Sequence, residues 1–338
     1  MEKFIMICGY GGVAFELCKI LLDNKNYITE KYNLDLKLKS IVGRHGQLYE
    51  EKGIDLEALL KFGKGSSAIE EYAKQKKLTL NTNIVFEGDV LVESTPTDLE
   101  SGEPGLTYAL KALDSGMNVV FASKGALVTN YKLISTKAAN LGLKINYSGA
   151  TAAALPTLDI GENSLSGARI KSIRGILNGT TNFILTEMFT NDINFEEALK
   201  NAQERGIAEK NPKLDISGFD SACKLLLIAN KIFNKQYDIS KVHIKGIDRL
   251  SDEDIHLVKA NGQTIKLIAT AEFDGKEVSM EVAPIPVSKT DMFSSVNGTN
   301  KCIAYNTFEM GQIFCAGGAS DPMGAGAAVL KDIINLYK

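Results

Sequence analysis

The stretch Phe4-Ile-Met-Ile-Cys-Gly-Tyr-Gly-Gly-Val-Ala14 predicts the fold of the first part of the chain. Its first five residues are an apolar run typical of a buried strand, and residues 15–22 have the pattern of a helix. The glycines between them follow the pattern G-x-G-x-x-A, which indicates a dinucleotide site in this strand–turn–helix context. The glycines permit a tight turn and a close approach to a pyrophosphate, and the helix start supplies N–H donors. The residues expected to bind the cofactor here are Gly9, Gly11, Gly12 and Val13.

Alternating strand and helix patterns continue from this motif through residue 150. They predict an α/β domain with a doubly wound parallel sheet over residues 1–150. The strand patterns are at 36–42, 89–96, 118–122 and 144–147, and the helical patterns are at 106–115 and 131–141. Ligands bind at the carboxyl ends of strands in such sheets, so polar residues there are further cofactor candidates. These candidates are Ser94, Thr95, Ser123 and Lys124.

The second strand ends in Gly43-Arg44-His45, without an acidic residue. A carboxylate at this position binds the ribose hydroxyls of NAD, whereas an arginine suits the 2′-phosphate of NADP. We therefore expect NADP to be preferred over NAD, with Arg44 as the discriminating residue. An exposed arginine that simply follows a strand is the alternative interpretation.

Two parts of the chain depart from the strand–helix alternation. Residues 54–77 are polar, lysine-rich helical pieces around Gly63-Lys-Gly-Ser-Ser67, and we interpret them as a peripheral insertion without chemistry. After a small-residue crossover at 148–156, strand patterns with helices between them predict a second domain over 151–317. This domain is expected to be α+β with a mostly antiparallel sheet, and a helix follows within 318–338.

Two motifs in the second domain carry polar groups suited to chemistry. The first, Gly175-Ile-Leu-Asn-Gly-Thr-Thr-Asn182, is predicted to be a tight turn that can hydrogen-bond a small polar ligand. The second runs over 208–224 and becomes helical, with Asp215 or Ser217 able to cap the helix start. 

Asp220 and Lys224 lie four residues apart on this helix, in the order that favours an ion pair. The following residues are apolar nearly all round the helix, which predicts that it is buried. Desolvation disfavours the charged form of a lysine and suits it to proton exchange. A purely structural ion pair on a half-exposed helix is the alternative.

Composition excludes several classes of protein. The 338 residues carry a net charge of −3, which argues against nucleic acid or an anionic membrane as the main partner. No apolar run reaches the roughly 18 residues of a membrane span, and the N-terminus has no signal-peptide pattern. The five cysteines are scattered without a C-x-x-C pair, as expected for reduced thiols in the cytoplasm.

The two motifs of the second domain, in this order and separation, resemble those of homoserine dehydrogenases. The resemblance covers almost the whole chain and implies hydride transfer with NAD(P) between L-homoserine and L-aspartate 4-semialdehyde, in threonine and methionine biosynthesis. It implies that the second domain binds substrate and forms a homodimer. It further implies that the C-terminal helix completes the first domain, with Gly324 near the nicotinamide, and that this is a short form without a regulatory extension.

The resemblance also implies catalytic roles. Lys224, oriented by Asp220, is expected to exchange the proton of the substrate oxygen, with Lys124 as a second cation. Sequence does not decide which lysine is the acid. The expected substrate contacts are Asn178, Gly179, Thr180, Glu209 and Asp215.

Metal binding is not expected. The three histidines, His45, His243 and His256, are far apart and lack metal-ligand spacing. Some members of the family carry a cation-binding glutamate where this chain has Ser148. Backbone carbonyls of Thr151 and Ala153 remain possible ligands for a monovalent cation.

Two other functions fit parts of the pattern. The first is a different two-domain NAD(P)-dependent amino-acid or aldehyde dehydrogenase. An acylating aldehyde dehydrogenase would need a nucleophilic cysteine in an electropositive pocket. Cys223 is next to Lys224 in the sequence, but neighbours on a helix point in different directions. The second is a dinucleotide-binding regulator without activity, although a sensor has no need of the proton-donating Lys224.

Overall fold

The computed structural model describes residues 1–318 and 321–338. The chain divides into two compact units, of which the first combines Met1–Ala153 with Asp321–Lys338 and the second covers Ala154–Ser320. Residues 319 and 320 of the predicted C-terminal segment lie outside the described residues.

The first unit contains a six-stranded sheet with the order β3-β2-β1-β4-β5-β6. The strands are β1 (Glu2–Cys8), β2 (Asp35–Gly43), β3 (Gly46–Tyr49), β4 (Val90–Glu93), β5 (Asn118–Phe121) and β6 (Ile145–Asn146). All neighbouring strands are parallel except β2 and β3, which form an antiparallel hairpin. The strand order reverses between β1 and β4, and this confirms the predicted doubly wound α/β domain.

Helices accompany this sheet. They are α1 (Gly12–Asp23), α2 (Lys25–Tyr32), α3 (Leu56–Leu60), α4 (Ser66–Lys76), α5 (Gly105–Asp114), α6 (Gly125–Asn140), α7 (Ser148–Thr151) and the C-terminal α14 (Pro322–Asn335). Helix α14 packs closely on α1, because a Cβ at Gly326 would lie 2.9 Å from the backbone nitrogen of Leu17. The C-terminal helix is therefore part of the first unit.

The second unit contains another six-stranded sheet, with the order β12-β11-β7-β9-β10-β8. Its strands are β7 (Ile170–Ile176), β8 (Val242–Ile244), β9 (Gln263–Phe273), β10 (Val278–Ser288), β11 (Lys301–Thr307) and β12 (Gln312–Gly317). Every pair is antiparallel except β8 with β10, as predicted for an α+β unit. Its helices are α8 (Thr157–Asp159), α9 (Gly179–Thr190), α10 (Phe195–Glu204), α11 (Lys213–Ile216), α12 (Phe219–Ile232) and α13 (Asp252–Ala260).

Helix α12 is the buried helix that the sequence predicted, since ten of its fourteen residues are buried. The predicted cap is wrong. The helix begins after Gly218, whose left-handed backbone (φ 81°) redirects the chain, and no side chain caps the helix start. Asp215 lies in the short helix α11, which ends before Gly218, so its carboxylate is available for partners other than the start of α12.

Candidate active site

The glycine motif forms the start of α1. Gly9 has a φ of +88°, and a Cβ there would lie 2.6 Å from the carbonyl oxygen of Ser94, so β1 can approach the end of β4 only with glycine at this position. A Cβ at Gly11 would meet nothing within 4 Å and would project into open space. The motif therefore leaves room for a ligand beside the first N–H groups of a twelve-residue helix, a site suited to phosphate.

A groove of about 600 Å³ lies beside this motif in the first unit. It spans the point where the strand order reverses, which is where doubly wound sheets bind dinucleotides. Its lining residues are Gly9, Tyr10, Gly11, Val42, Gly43, Arg44, Gly65, Ser66, Ser94, Thr95, Pro96, Pro104 and Tyr108. The open space at Gly11, the start of α1 and the position of the groove at the strand-order reversal fit a dinucleotide.

Five of the predicted cofactor residues line this groove, namely Gly9, Gly11, Arg44, Ser94 and Thr95. The others lie outside its lining. Gly12 and Val13 are the first residues of α1, and Ser123 and Lys124 join β5 to α6. The backbone N–H of Gly324 donates to the side chain of Asp321, which caps α14.

Gly65 and Ser66 also line the groove, so the interpretation of this region as peripheral is wrong for these two residues, while its lack of a chemical role stays a prediction. The backbone N–H of Gly65 donates to the carbonyl of Tyr10 (2.7 Å), next to the glycine motif. The hydroxyl oxygen of Ser66 accepts a hydrogen bond from the backbone N–H of Arg44 (2.9 Å). The glycines of this loop could have indicated its role from the sequence, because they suggest a turn with a special backbone conformation. Gly65 has a φ of +94°, which favours glycine.

Glu93, the last residue of β4, was not identified from the sequence. Its side chain is fully buried and accepts hydrogen bonds from the backbone N–H of Thr95 (2.9 Å) and from the hydroxyls of Thr95 and Ser123. Burial raises the pKa of this carboxyl, and the three donors oppose that rise. Glu93 thus ties the loops after β4 and β5 to one carboxylate.

The second unit holds a separate cluster of polar groups at the start of α9 and α12. The Lys224 ammonium lies 2.7 Å from Asp220 Oδ2 and donates to the carbonyl oxygen of Leu177 (3.0 Å). The side chains of Lys224 and Asp220 are only 18% and 11% exposed. The i,i+4 pair predicted from sequence is therefore present and mostly shielded from water.

Asn178 joins this pair to a second carboxylate. Its side-chain NH₂ donates to Asp215 Oδ1 (2.7 Å) and to Asp220 Oδ2 (2.8 Å), while its oxygen accepts from the backbone N–H of Thr181 (2.9 Å). The predicted tight turn at 175–182 is instead the end of β7 and the capped start of α9. Asn178 thus holds two carboxylates side by side.

The pKa of Asp215 is raised, chiefly by burial and then by the nearby charge of Asp220. The hydrogen bond from Asn178 and the charge of Lys224 act in the opposite direction, and Glu209 adds a further negative charge. Glu209 itself is exposed. The cluster can bind a cationic group through its carboxylates and can exchange a proton through its ammonium.

Two other predicted substrate residues lie at the same helix start. Gly179 is the buried first residue of α9. The Thr180 hydroxyl donates to the carbonyl oxygen of Ile207 (3.1 Å), so it anchors the segment that leads to Glu209.

Ser148 has protein partners of its own in the first unit. Its N–H (2.7 Å) and hydroxyl (2.8 Å) donate to the carboxylate of Asp332, and the Lys331 ammonium lies 2.8 Å from its oxygen.

Within the described part of the chain, no three His, Cys, Asp or Glu side chains are grouped so that they could hold a metal ion. No helix among the described residues is long and apolar enough to cross a membrane.

Comparison with known proteins identifies the family of both units. The homoserine dehydrogenase profile matches residues 156–334, and the profile of the homoserine dehydrogenase NAD-binding domain matches residues 9–148. A homoserine dehydrogenase of Methanocaldococcus jannaschii is 34% identical over 98% of both chains. An NAD(+)-dependent homoserine dehydrogenase of Pseudomonas canavaninivorans is 26% identical over 100% of this chain and 97% of its own.

A solved structure of a candidate homoserine dehydrogenase from Archaeoglobus fulgidus superimposes with a TM-score of 0.84 at 26% identity, over 99% of both chains. The two profile matches together cover nearly the whole chain, and the fold agrees with the solved structure. The chain therefore belongs to the homoserine dehydrogenase family.

Proposed function

We propose that this protein interconverts L-homoserine and L-aspartate 4-semialdehyde, using a nicotinamide dinucleotide as the hydride carrier. As a member of the family it is an oxidoreductase with an NAD-binding domain. The observation that carries the proposal is the Lys224–Asp220–Asn178–Asp215 cluster. It combines a proton donor with two carboxylates in one mostly shielded place. When bound, the dinucleotide supplies the hydride acceptor or donor.

Lys224 is the proposed proton donor and acceptor for the substrate oxygen. An ammonium has three N–H groups, and two of those of Lys224 are directed to Asp220 and to the Leu177 carbonyl. The third is the one that we propose donates to the oxygen of the aldehyde as it becomes alkoxide-like. Asp220 fixes the position of the ammonium through the ion pair of 2.7 Å.

Asp215 is the proposed partner of the substrate ammonium, with Glu209 as a second negative charge near it. Asn178 is saturated by two carboxylates and a backbone N–H, so we propose that it positions Asp215 and Asp220 and does not itself contact the substrate. Lys124, the residue that precedes α6, is proposed as a second cation for the substrate oxygen or carboxylate.

NADP is the proposed cofactor, and Gly12 and Val13 are proposed to supply N–H groups to its phosphates. Arg44 lies in the groove without an acidic residue beside it in the sequence, and Ser66 holds its backbone. Lys64 adds a positive charge near the glycine motif, 3.9 Å from the position of a Cβ at Gly12. These groups suit an additional phosphate. NAD is the alternative.

The first test is absorbance of the reduced nicotinamide with L-homoserine and NADP⁺ or NAD⁺ in parallel. Reduction that depends on homoserine supports the reaction, and its absence in both directions overturns it.

Replacing Arg44 with alanine is expected to raise the KM for NADP⁺ by about 10- to 100-fold, the size of a lost charge-assisted hydrogen bond, without changing the KM for NAD⁺. The exposed Arg205 in the second unit provides a matched control variant. An unchanged KM for NADP⁺ would remove Arg44 from the site.

We also propose a cytoplasmic homodimer whose second unit binds substrate and forms the interface. The five cysteines are free thiols, which supports a reducing compartment. Light scattering during gel filtration is expected to give twice the chain mass of 36.6 kDa. A mass of one chain at micromolar concentration would contradict the dimer.

A further inference from the structure

Glu93 is buried where two loops of the proposed cofactor groove begin. Its Cα is paired with Cys8 of β1 and with Phe121 of β5, so the residue lies at the carboxyl edge of three neighbouring strands. Its carboxyl is fully shielded from solvent. A Cβ at Gly105 would lie 2.9 Å from the carboxyl carbon, so the start of α5 packs directly against this group.

Three donors converge on this one side chain. The backbone N–H and the hydroxyl of Thr95 both donate to Oε1, and the hydroxyl of Ser123 donates to Oε2. A carboxylate can only accept hydrogen bonds, so the single hydrogen of each hydroxyl is donated to Glu93. The remaining lone pairs of Thr95 and Ser123 are therefore acceptors. Thr95 lines the groove, so the groove wall presents an acceptor there.

This polarity distinguishes the two ends of a dinucleotide. A phosphate group needs donors or positive charge, and a buried carboxylate with acceptors in front of it repels an anion. Donors and positive charge instead follow the two other strands, at the α1 start after β1 and at Arg44 after β2. The side next to β4 and β5 instead suits a group that donates hydrogen bonds.

We propose that Glu93, by orienting the hydroxyl of Thr95 as an acceptor, makes this part of the groove select the carboxamide NH₂ of the nicotinamide. Glu93 acts as a positioning residue, and Thr95 is the group that contacts the ligand. The inference rests on the proposed binding of a nicotinamide dinucleotide in this groove. Beyond that binding, it names the carboxamide NH₂ as the group that is recognised and Glu93 as the residue that determines the recognition.

The test is calorimetric binding, without turnover. The ligands are NADP⁺, its 3-acetylpyridine analogue, which has a methyl in place of the NH₂, and 2′-phospho-ADP-ribose, which lacks the ring. The wild-type protein is expected to bind the acetylpyridine analogue about tenfold more weakly than NADP⁺, the effect of one hydrogen bond with an unsatisfied partner. Glu93→Gln places an amide donor beside the hydroxyls and frees them to reorient, so the ratio of the two affinities is expected to fall toward one.

The controls separate the possible failures. Glu87→Gln changes a half-exposed carboxylate in the same unit and is expected to leave the ratio unchanged. If Glu93→Gln does not fold, Thr95→Val tests the same acceptor, and Thr95→Ser should restore the discrimination. Equal binding of NADP⁺ and the acetylpyridine analogue by the wild-type protein would overturn the inference. Failure to bind 2′-phospho-ADP-ribose would instead contradict the proposed cofactor groove.

Discussion

Replacing Lys224 with methionine removes the ammonium that lies 2.7 Å from Asp220 and keeps a side chain about as long as the lysine's aliphatic stem. Loss of a positioned general acid lowers turnover by about 10²- to 10⁴-fold. The same change leaves Asp220 with the Asn178 amide but without its countercharge, next to Asp215. Exposed pairs contribute up to about 1 kcal/mol and breaking a buried pair costs about 3–5 kcal/mol. For this mostly shielded pair, we expect a loss of about 1–3 kcal/mol in the free energy of unfolding.

The assay measures kcat at saturating cofactor, the calorimetric affinity for NADP⁺, and unfolding in urea. The affinity for NADP⁺ is expected to be unchanged, because Lys224 belongs to the second unit and the proposed groove belongs to the first. Lys231→Met is the matched control, since Lys231 is on the same helix and pairs with Glu162 at 3.2 Å. That variant should keep normal turnover.

A double variant separates the chemical role from the structural one. Asp220→Asn combined with Lys224→Met makes the pair neutral, so stability should recover while turnover stays low. Near-normal turnover in Lys224→Met would refute the assignment and move the proton transfer to Lys124 or to water. Low turnover that recovers together with stability in the double variant would reduce Lys224 to a structural residue.

Two further predictions concern stability. Burial lowers the pKa of Lys266, a 1% exposed lysine on β9, to about 8 from its usual 10.5, so the unfolded chain binds more protons between these values. The contribution of Lys266 to the free energy of unfolding should therefore rise with pH across that window. The difference in unfolding free energy between the wild-type protein and Lys266→Met, measured by urea titration, should be more positive at pH 10 than at pH 7.5, and an equal difference at both pH values would contradict the assignment. Gly326→Ala should lower the melting temperature measured by circular dichroism, because the added Cβ lies 2.9 Å from the backbone of Leu17, whereas an unchanged value would mean that α1 and α14 can move apart.

Local patterns predicted most of the secondary structure because side-chain periodicity reports directly on burial. The strand predicted at 118–122 is Asn118–Phe121, and the strand predicted at 36–42 lies within Asp35–Gly43. The helix predicted at 131–141 begins earlier, at Gly125, because the chain continues from a first helical segment through a break at Asn130. The pattern identified only the regular part after that break.

The sequence by itself determined the two fold classes, the glycine motif that opens a helix, and the pairing of Asp220 with Lys224. Each depends on residues that are close along the chain, where helical or strand geometry fixes the spacing. Only the tertiary structure decided that Asn178 joins Asp215 to Asp220, across 37 and 42 residues, and that Glu93 holds Ser123, across 30 residues. Such contacts depend on where whole strands and helices pack, and a buried polar side chain takes as its partner whichever group that packing brings within hydrogen-bond distance.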